Sequence, residues 1–371
     1  MSDSLGDGAG QPTDEQCELY RRWARADVGL SLIGEVQVGP RYPEKPGNLV
    51  LAENRDRAKF EQLAAAGSEG GSWIWPQLGH AGALAFEPLS NPAGPSALDI
   101  AGLRCRELTV AEIEAIPQEF ASAARRAKND GFRGVEVHAG HGFLLSQFLS
   151  PLFNRRTDGY GGSIEARCRV VVEIVRAVRG AVGPDVAVGM RINSSDQLDG
   201  GLTEDDSAMA IEIIASEGLD LVDISGGTYF PGAPSSSDRQ ATGPYFVDFA
   251  RQVRENVSVP VMVTGGFKTF RQAHDAVASG ATDAVGLARA LVVDPDLASH
   301  WFGPEPVDPV FPHFDESPPG GVTAWYTMRL ADIAAATQDH PDRTPQDALR
   351  EYDRRDEERI APWIRAFGAA E

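Results

Sequence analysis

The stretch that decides the fold is residues 134–167, GVEVHAGHGFLLSQFLSPLFNRRTDGYGGSIEAR. It opens with a short apolar run, which predicts a buried strand. The run ends at His138, and His141 follows three residues later in a loop broken by glycines. We expect two imidazoles side by side at the C-terminal tip of the strand, where they can stabilise negative charge on a reacting oxygen atom. Structural histidines or half of a zinc site are the alternatives, but we find no third ligand nearby and predict no metal.

The rest of the chain alternates short apolar runs with helical patterns. Strands that alternate with helices predict an α/β protein with a parallel sheet, and so many of them in one chain predict a (β/α)8 TIM barrel. Such a barrel needs eight strands, so one strand is absent from the count. The runs that we interpret as strands cover residues 29–36, 72–78, 134–137, 186–192, 221–224, 261–264 and 284–287.

Two regions are expected along the chain. Residues 1–300 form the barrel, and residues 301–371 form a helical C-terminal extension packed on it. In that extension, Thr344 and Pro345 open a long charged helix with cap and proline in the favoured order. Two long loops, at residues 37–51 and 226–244, follow strand C-terminal ends, where barrel enzymes build their active sites.

Composition limits the classes of partner. The formal net charge of -20 argues against nucleic acid or an anionic membrane, because both would be repelled. The three cysteines form no CxxC pair, and no apolar run approaches the length of a membrane span. We therefore expect a protein of the reducing cytoplasm that acts on a small molecule, and the sequence leaves a homo-oligomer open.

Several polar residues and glycines follow the predicted strands. Gln77, Arg191 and the pair Gly265-Gly266 lie at strand ends, and Arg289 follows the last strand. Two glycines alone are typical of a plain tight turn. With Arg289 nearby, they favour a phosphate site, because bare backbone NH groups can approach phosphate oxygens and a guanidinium can bind them in a fork.

The stretch that opens this section resembles the Old Yellow Enzyme family of FMN-dependent ene-reductases. The resemblance is carried by His138, His141, the run QFLSP at 147–151 and the run RTDGYGGS at 156–163. The departure is Phe143, which stands where the family usually has a tyrosine that supplies a proton. The family usually has a strand directly before the segment that matches residues 2–13. We therefore expect the first barrel strand to be missing or displaced, through a late start, a truncation or a variant way of closing the barrel.

The resemblance implies an FMN site and NADH or NADPH as hydride donor. By this resemblance, Gln77 and Arg191 contact the isoalloxazine ring, with Arg191 near the edge that becomes negative on reduction. The position of the family's flavin-tuning Thr or Cys matches Ser2. The residues expected at the phosphate are Gly265, Gly266, Ala288 and Arg289.

The implied activity is reduction of the activated C=C bond of an α,β-unsaturated carbonyl compound, with His138 and His141 bound to the carbonyl oxygen. Because Phe143 has no hydroxyl, the proton comes from Tyr42, Tyr229 or water, or the chemistry differs. Isomerisation or desaturation, and reduction of quinones or nitro compounds, are the alternatives within the family. Two further alternatives are not enzymes of this family type: a phosphate-binding barrel enzyme without flavin, and a degenerate, non-catalytic flavin-binding barrel.

Overall fold

The computed structural model describes residues 2–100, 102–230, 243–337 and 343–369. Part of the loop at 226–244 therefore lies outside the described residues. The described strands are β1 (Leu30–Gln37), β2 (Leu49–Val50), β3 (Trp73–Gly79), β4 (Ala93–Gly94), β5 (Leu98–Ile100), β6 (Leu103–Glu107), β7 (Gly134–Ala139), β8 (Ala187–Asn193), β9 (Leu221–Ser225), β10 (Val261–Thr264) and β11 (Ala284–Gly286).

Eight of these strands form one parallel sheet, in the order β11, β10, β9, β8, β7, β3, β1, β2. The seven long strands are those that the sequence predicts, and the curled sheet surrounded by helices confirms the TIM-barrel fold. The prediction missed β2, because a strand of two residues has no readable periodicity. Among the described residues the edge strands are β11 and β2, and they do not pair, so the sheet keeps an open side between them.

The helices that follow the strands bury one face each. In the helix Ile164–Val182, the residues at helical spacing are fully buried, as predicted: Cys168, Val171, Val175 and Val178. The described α-helices are α1 (Asp14–Arg25), α2 (Arg57–Gly67), α3 (Val110–Asn129), α4 (Leu144–Leu149), α5 (Ile164–Val182), α6 (Glu204–Ala215), α7 (Val247–Arg254), α8 (Phe270–Ala278), α9 (Arg289–Val293), α10 (Leu297–Phe302), α11 (Gly321–Ala334) and α12 (Pro345–Phe367). In the part of the chain that the structure describes, none of them is long and apolar enough to cross a membrane.

A small three-stranded sheet and a helical C-terminal region complete the chain. The small sheet has the order β4, β6, β5 and lies between β3 and α3 in sequence. The Thr344 side chain caps α12 in a capping box with Asp347, which confirms the predicted helix start. From α12, Arg355 and Arg359 donate hydrogen bonds to the Ser4 carbonyl oxygen at 2.7 and 3.0 Å. The predicted domain boundary at residue 300 stays a prediction.

Candidate active site

Strand register brings the predicted residues to one end of the barrel. His138 on β7 is the register partner of Arg191 on β8, and Arg191 is the partner of Asp223 on β9. On the other side of β7, Gln77 of β3 is the partner of Glu136. All of these strands are parallel, so side chains at equal register lie at the same level of the barrel. The structure thus places Gln77, His138 and Arg191 close together, as expected.

Four side chains form what we call the histidine chain: Glu35, His138, His141 and Ser225. His138 Nδ1 is hydrogen-bonded to the Glu35 carboxyl group. His138 Nε2 lies 3.0 Å from His141 Nδ1, and His141 Nε2 lies 3.0 Å from Ser225 Oγ. The His141 backbone has a φ of 58°, and its amide donates to Asn193 Oδ1 at 2.9 Å. The two imidazoles are thus hydrogen-bonded to each other, and each fixes the position of the other.

Burial sets the charge of this chain. It lowers the pKa of His138 well below the usual histidine value, and the positive charge of Arg191 lowers it further. The pKa of His141 is lowered for the same two reasons and by the proximity of His138. Burial raises the pKa of Glu35 to about 8, although a hydrogen bond from Gln37 and the Arg191 charge oppose the rise. These shifts favour two neutral imidazoles and a protonated carboxyl group in the histidine chain at neutral pH.

A second buried group, which we call the arginine cluster, lies beside the histidine chain. It consists of Gln77, Glu136, Arg191, Asp223 and Thr264. Arg191 Nε donates to Asp223 Oδ2 at 2.7 Å and lies 4.0 Å from Glu136 Oε2, while Thr264 Oγ1 donates to Asp223 Oδ1 at 2.8 Å. The Gln77 amide donates to Glu136. Burial alone would lower the pKa of Arg191, but the two carboxylates raise it above the usual value, so the guanidinium stays charged.

Phe143 begins α4, and its ring lies 5.1 Å from that of His138. It lines a cavity of about 370 Å³ together with Glu44, Lys45, Phe86 and Tyr229. The Phe143 ring offers no proton at the wall of this cavity. A small organic molecule of the size of a cyclic enone fits such a volume.

The two tyrosines expected as proton donors differ in position. The Tyr42 ring stacks on His80 at 4.5 Å, and its hydroxyl accepts a hydrogen bond from Arg106 at 2.9 Å. Tyr229 is 61% exposed, and its ring lies 5.8 Å from Phe143 and 5.9 Å from His141. Of the two, Tyr229 lies at the cavity.

The glycine pair after β10 has the backbone geometry that only glycine adopts readily. Gly265 and Gly266 have φ values of 141° and 83°, and a Cβ atom on Gly266 would lie 2.6 Å from the Gly243 carbonyl oxygen. Thr264 and Gly286 are register partners, so the loops after β10 and β11 are neighbours. Ala288 caps α9 and Arg289 is its first residue, with its guanidinium 5.4 Å from the Tyr326 ring. The predicted phosphate residues are therefore together.

A family model described as NADH:flavin oxidoreductase / NADH oxidase matches residues 3–301. The chain belongs to this family. The NADH-dependent flavin oxidoreductase iliE of Hypocrea jecorina is 34% identical over 330 residues, which cover 80% of this chain and 82% of that protein. Both NADH-dependent and NADPH-dependent proteins are among the relatives of this flavin oxidoreductase chain.

Solved structures of other proteins are similar to this chain in fold. A 2-naphthoyl-CoA reductase in complex with 2-naphthoyl-CoA has a TM-score of 0.78 at 27% identity and is matched over 82% of this chain. Our chain spans only 49% of the length of that reductase. An Old Yellow Enzyme homologue from Zymomonas mobilis has a TM-score of 0.70 at 22% identity, with 81% of this chain and 86% of that chain covered. The family model over residues 3–301 confirms the resemblance to the Old Yellow Enzyme family, and the Zymomonas mobilis structure shares the fold. FMN with NADH or NADPH is the cofactor set of this family.

The residues of this flavin oxidoreductase fit FMN. The buried Gln77 and Arg191 offer amide and guanidinium groups to a polar ring edge, and Glu136 Oε1 is buried without a hydrogen-bond partner among the described residues. Gly265, Gly266 and Arg289 offer the close backbone approach and positive charge that a phosphate needs. Ser2 is different, since its hydroxyl accepts a hydrogen bond from the Ser4 amide at 3.2 Å and no described hydrogen bond joins it to either cluster. Its flavin-tuning role stays a prediction.

Sequence reasoning missed Glu35, Asn193, Ser225, Glu136 and Asp223. A signal existed for three of them, because Glu35, Glu136 and Asp223 are carboxylates inside strands that are otherwise apolar and buried. A charged residue in such a strand needs a partner, and here the partners are His138, Gln77 and Arg191. In the described residues, no group of three His, Cys, Asp or Glu side chains has metal-binding geometry.

Proposed function

We propose that this flavin oxidoreductase reduces the activated C=C bond of an α,β-unsaturated carbonyl compound. The observation that carries the proposal is the pair of neutral imidazoles at the end of β7, the buried His138 and the half-buried His141, which lie 3.0 Å apart and beside a cavity of about 370 Å³. Neutral imidazole N–H donors that are already in position stabilise an enolate oxygen as it forms.

Each group of the site has a role in this proposal. Bound FMN would supply the hydride that it receives from NADH or NADPH. Gln77 and Arg191 would hold the ring, and Gly265, Gly266 and Arg289 would hold the phosphate. The imidazoles orient the substrate carbonyl oxygen, and the apolar wall at Phe143 keeps water from the carbon atoms of the substrate.

Phe143 favours a second candidate function, the reduction of quinones or nitro compounds. These substrates accept hydride and take up protons at oxygen or nitrogen rather than at carbon. They therefore do not need the tyrosine hydroxyl that Phe143 lacks.

An anaerobic assay separates the two candidates. NAD(P)H oxidation by the FMN-loaded protein is followed at 340 nm with a cyclic enone and, separately, with a benzoquinone as acceptor. We expect enone-dependent oxidation that falls about 100-fold in His141→Ala, because His141 Nε2 ends the histidine chain and an oxyanion donor contributes this much to turnover. The matched control is His313→Ala, since His313 is exposed and remote from the clusters, and it should keep the wild-type rate. Turnover with the quinone alone would favour the second candidate, and turnover with neither acceptor would overturn both.

A further inference from the structure

We propose that Glu35, His138 and His141 form a proton relay that protonates the substrate at its carbonyl oxygen, so that the product leaves as the enol. The proposal rests on the proposed reduction of unsaturated carbonyl compounds. Because Phe143 has no hydroxyl that can protonate the substrate α-carbon, the reaction needs another way to end, and protonation at oxygen supplies it.

The relay follows from the order of the contacts. Glu35 is bonded to His138 Nδ1, His138 Nε2 faces His141 Nδ1 at 3.0 Å, and His141 Nε2 faces Ser225 Oγ at 3.0 Å. Each imidazole therefore uses both of its ring nitrogens within one line of hydrogen bonds. In a neutral imidazole one nitrogen donates and the other accepts, so the direction at one end fixes the direction of the whole line.

The hydrogen bonds of the histidine chain can run in two directions, and the protonation state of Glu35 selects between them. When Glu35 is protonated, it donates to His138 Nδ1, His138 Nε2 donates to His141 Nδ1, and His141 Nε2 carries a proton toward Ser225. When Glu35 is ionised, every bond reverses and His141 Nε2 becomes an acceptor. Only the first direction offers the proton of His141 Nε2 to an acceptor, which is Ser225 Oγ in the structure and the substrate carbonyl oxygen in the proposed reaction.

The surroundings of Glu35 favour its protonated form. Gln37 Nε2 donates to Glu35 Oε2 at 3.1 Å, which favours the ionised form, but the close packing against β3 outweighs it. A Cβ atom on Gly79 would lie 2.4 Å from the same oxygen, so no room for water remains on the β3 side. Burial raises the pKa of Glu35 to about 8, which places the reversal of the chain just above neutral pH. The titratable and charged groups that face Glu35 among the described residues are His138, Arg191, Glu44 and Tyr229.

The proton and electron count of the step balances. A hydride adds to the β-carbon, and the π electrons of the C=C bond move through the α-carbon to the carbonyl oxygen. That oxygen takes the proton of His141 Nε2, His141 Nδ1 takes the proton of His138 Nε2, and His138 Nδ1 takes the proton of Glu35. Glu35 is left as a carboxylate and regains a proton from solvent. The released enol becomes the ketone in solution, where water protonates the α-carbon.

The first test is the configuration at the α-carbon. Anaerobic reduction of 2-methylcyclohex-2-enone by the wild-type holoenzyme gives 2-methylcyclohexanone, whose enantiomers are separated by chiral chromatography at early reaction times. A single enantiomer of the product, incubated in parallel with the enzyme, corrects for racemisation after release. Enol release predicts equal amounts of the two enantiomers. An excess of one enantiomer would overturn the proposal, because it requires a donor fixed on one face, such as Tyr229.

The second test needs neither flavin nor substrate. The ¹⁵N shifts of the two imidazoles in flavin-free protein report which ring nitrogen carries the proton. At pH 6 we expect the proton of His141 on Nε2, and at pH 9.5 on Nδ1. In Glu35→Gln the amide can donate at every pH, so the pH 6 tautomer should persist at pH 9.5. A wild-type tautomer that does not change between the two pH values would overturn the relay.

The two tests separate failure of the relay from failure of the proposed function. If no unsaturated carbonyl compound is reduced, the proposed function fails, and the tautomer measurement still decides whether the chain reverses. If reduction occurs and the relay acts, Glu35→Gln should lower kcat at least tenfold with little change in KM, because the carbonyl oxygen still meets the same donor. Unchanged turnover in Glu35→Gln would contradict proton transfer through Glu35.

Discussion

The histidine chain and the arginine cluster lie on neighbouring strands, and both are largely buried, yet their basic groups differ: the imidazoles lose their charge and the guanidinium keeps it. His138 and Arg191 are register partners. In the histidine chain, the pKa of each imidazole falls and that of Glu35 rises, so every group becomes neutral. In the arginine cluster, burial also raises the pKa of Glu136, to about 7, and that of Asp223. Arg191 nevertheless keeps its charge, because these two groups lie beside it. Burial therefore neutralises the imidazoles and Glu35, because these groups can lose or gain a proton. The Arg191 guanidinium cannot give up its proton, so it stays charged.

The difference suits two tasks. A neutral line of hydrogen bonds can reverse direction by moving protons short distances, and no charge has to be brought into the interior at rest. A fixed positive charge with two carboxylates cannot reverse, and it supplies a constant field. The barrel thus places a switchable donor beside a permanent charge, at the same level of the sheet.

The largest effect should come from removing the fixed charge. Arg191→Met leaves Asp223 and Glu136 buried without a cation, and we expect the free energy of unfolding of flavin-free protein to fall by about 3–5 kcal/mol at pH 7. Urea denaturation followed by circular dichroism measures it. The control is Arg176→Met, which breaks an exposed pair with Glu217 and should cost less than about 1 kcal/mol. Equal losses in the two variants would show that Arg191 is not needed to compensate the two carboxylates.

The next effect is the pH dependence of stability that Glu35 confers. Its pKa is raised to about 8 in the folded state and is near the usual carboxyl value in the unfolded state, so folding binds a proton between these values. The stabilisation is complete below the unfolded pKa and is lost as pH rises toward 8, by up to about 1.4 kcal/mol per pH unit. Glu35→Gln should remove this contribution.

The measurement is the difference in unfolding free energy between Glu35→Gln and wild type at pH 5, 6, 7 and 8, from urea titrations. Other titrating groups largely cancel in the difference. We expect the variant to gain on the wild type steadily as pH rises. A difference that stays flat over this range would mean that Glu35 is ionised in the folded protein, and the histidine chain would then hold a charge like its neighbour.

A smaller effect follows from placing a hydroxyl beside the histidine chain. Phe143→Tyr restores a proton donor at the cavity wall, and we expect alkene reduction to accelerate about tenfold, which corresponds to 1.4 kcal/mol of barrier. Single-turnover reoxidation of the reduced flavin by a cyclic enone measures it. Phe153→Tyr is a matched control, because Phe153 is buried against Phe230, away from the histidine pair. An unchanged or slower rate in Phe143→Tyr would show that another donor is already in place.

The smallest effects are expected when one hydrogen bond is removed from each cluster. Thr264→Val removes a bond to the charged Asp223, and Ser225→Ala removes a bond to the neutral His141. Bonds to charged groups contribute about 1.5–3 kcal/mol and neutral ones about 0.5–1.5 kcal/mol, so Thr264→Val should cost roughly twice as much in unfolding free energy. A larger loss in Ser225→Ala would reverse the assignment of charge to the two clusters.

Much of this site could be predicted from strand ends alone. His138, Arg191 and Gln77 follow apolar runs, and parallel strands bring their ends to one edge, so their proximity follows from order along the chain. The partners of these residues could not be predicted. Glu35 and His138 are 103 residues apart and lie on strands separated by β3, so their proximity depends on the pairing of β1 and β7 with β3 in the curled sheet. The tyrosine-to-phenylalanine change was readable in the sequence, whereas the proton route that could replace the tyrosine required atomic positions.

The hydrogen bonds from Arg355 and Arg359 to the Ser4 carbonyl oxygen have a consequence for biosynthesis. A ribosome makes the segment at Ser4 first and α12 some 350 residues later, at about 5–20 residues per second. For that interval the early segment lacks the partners that hold it in the folded protein. We therefore expect the nascent chain to be sensitive to proteolysis near Ser4 until α12 has left the ribosome, and a stalled chain that ends before α12 to remain so.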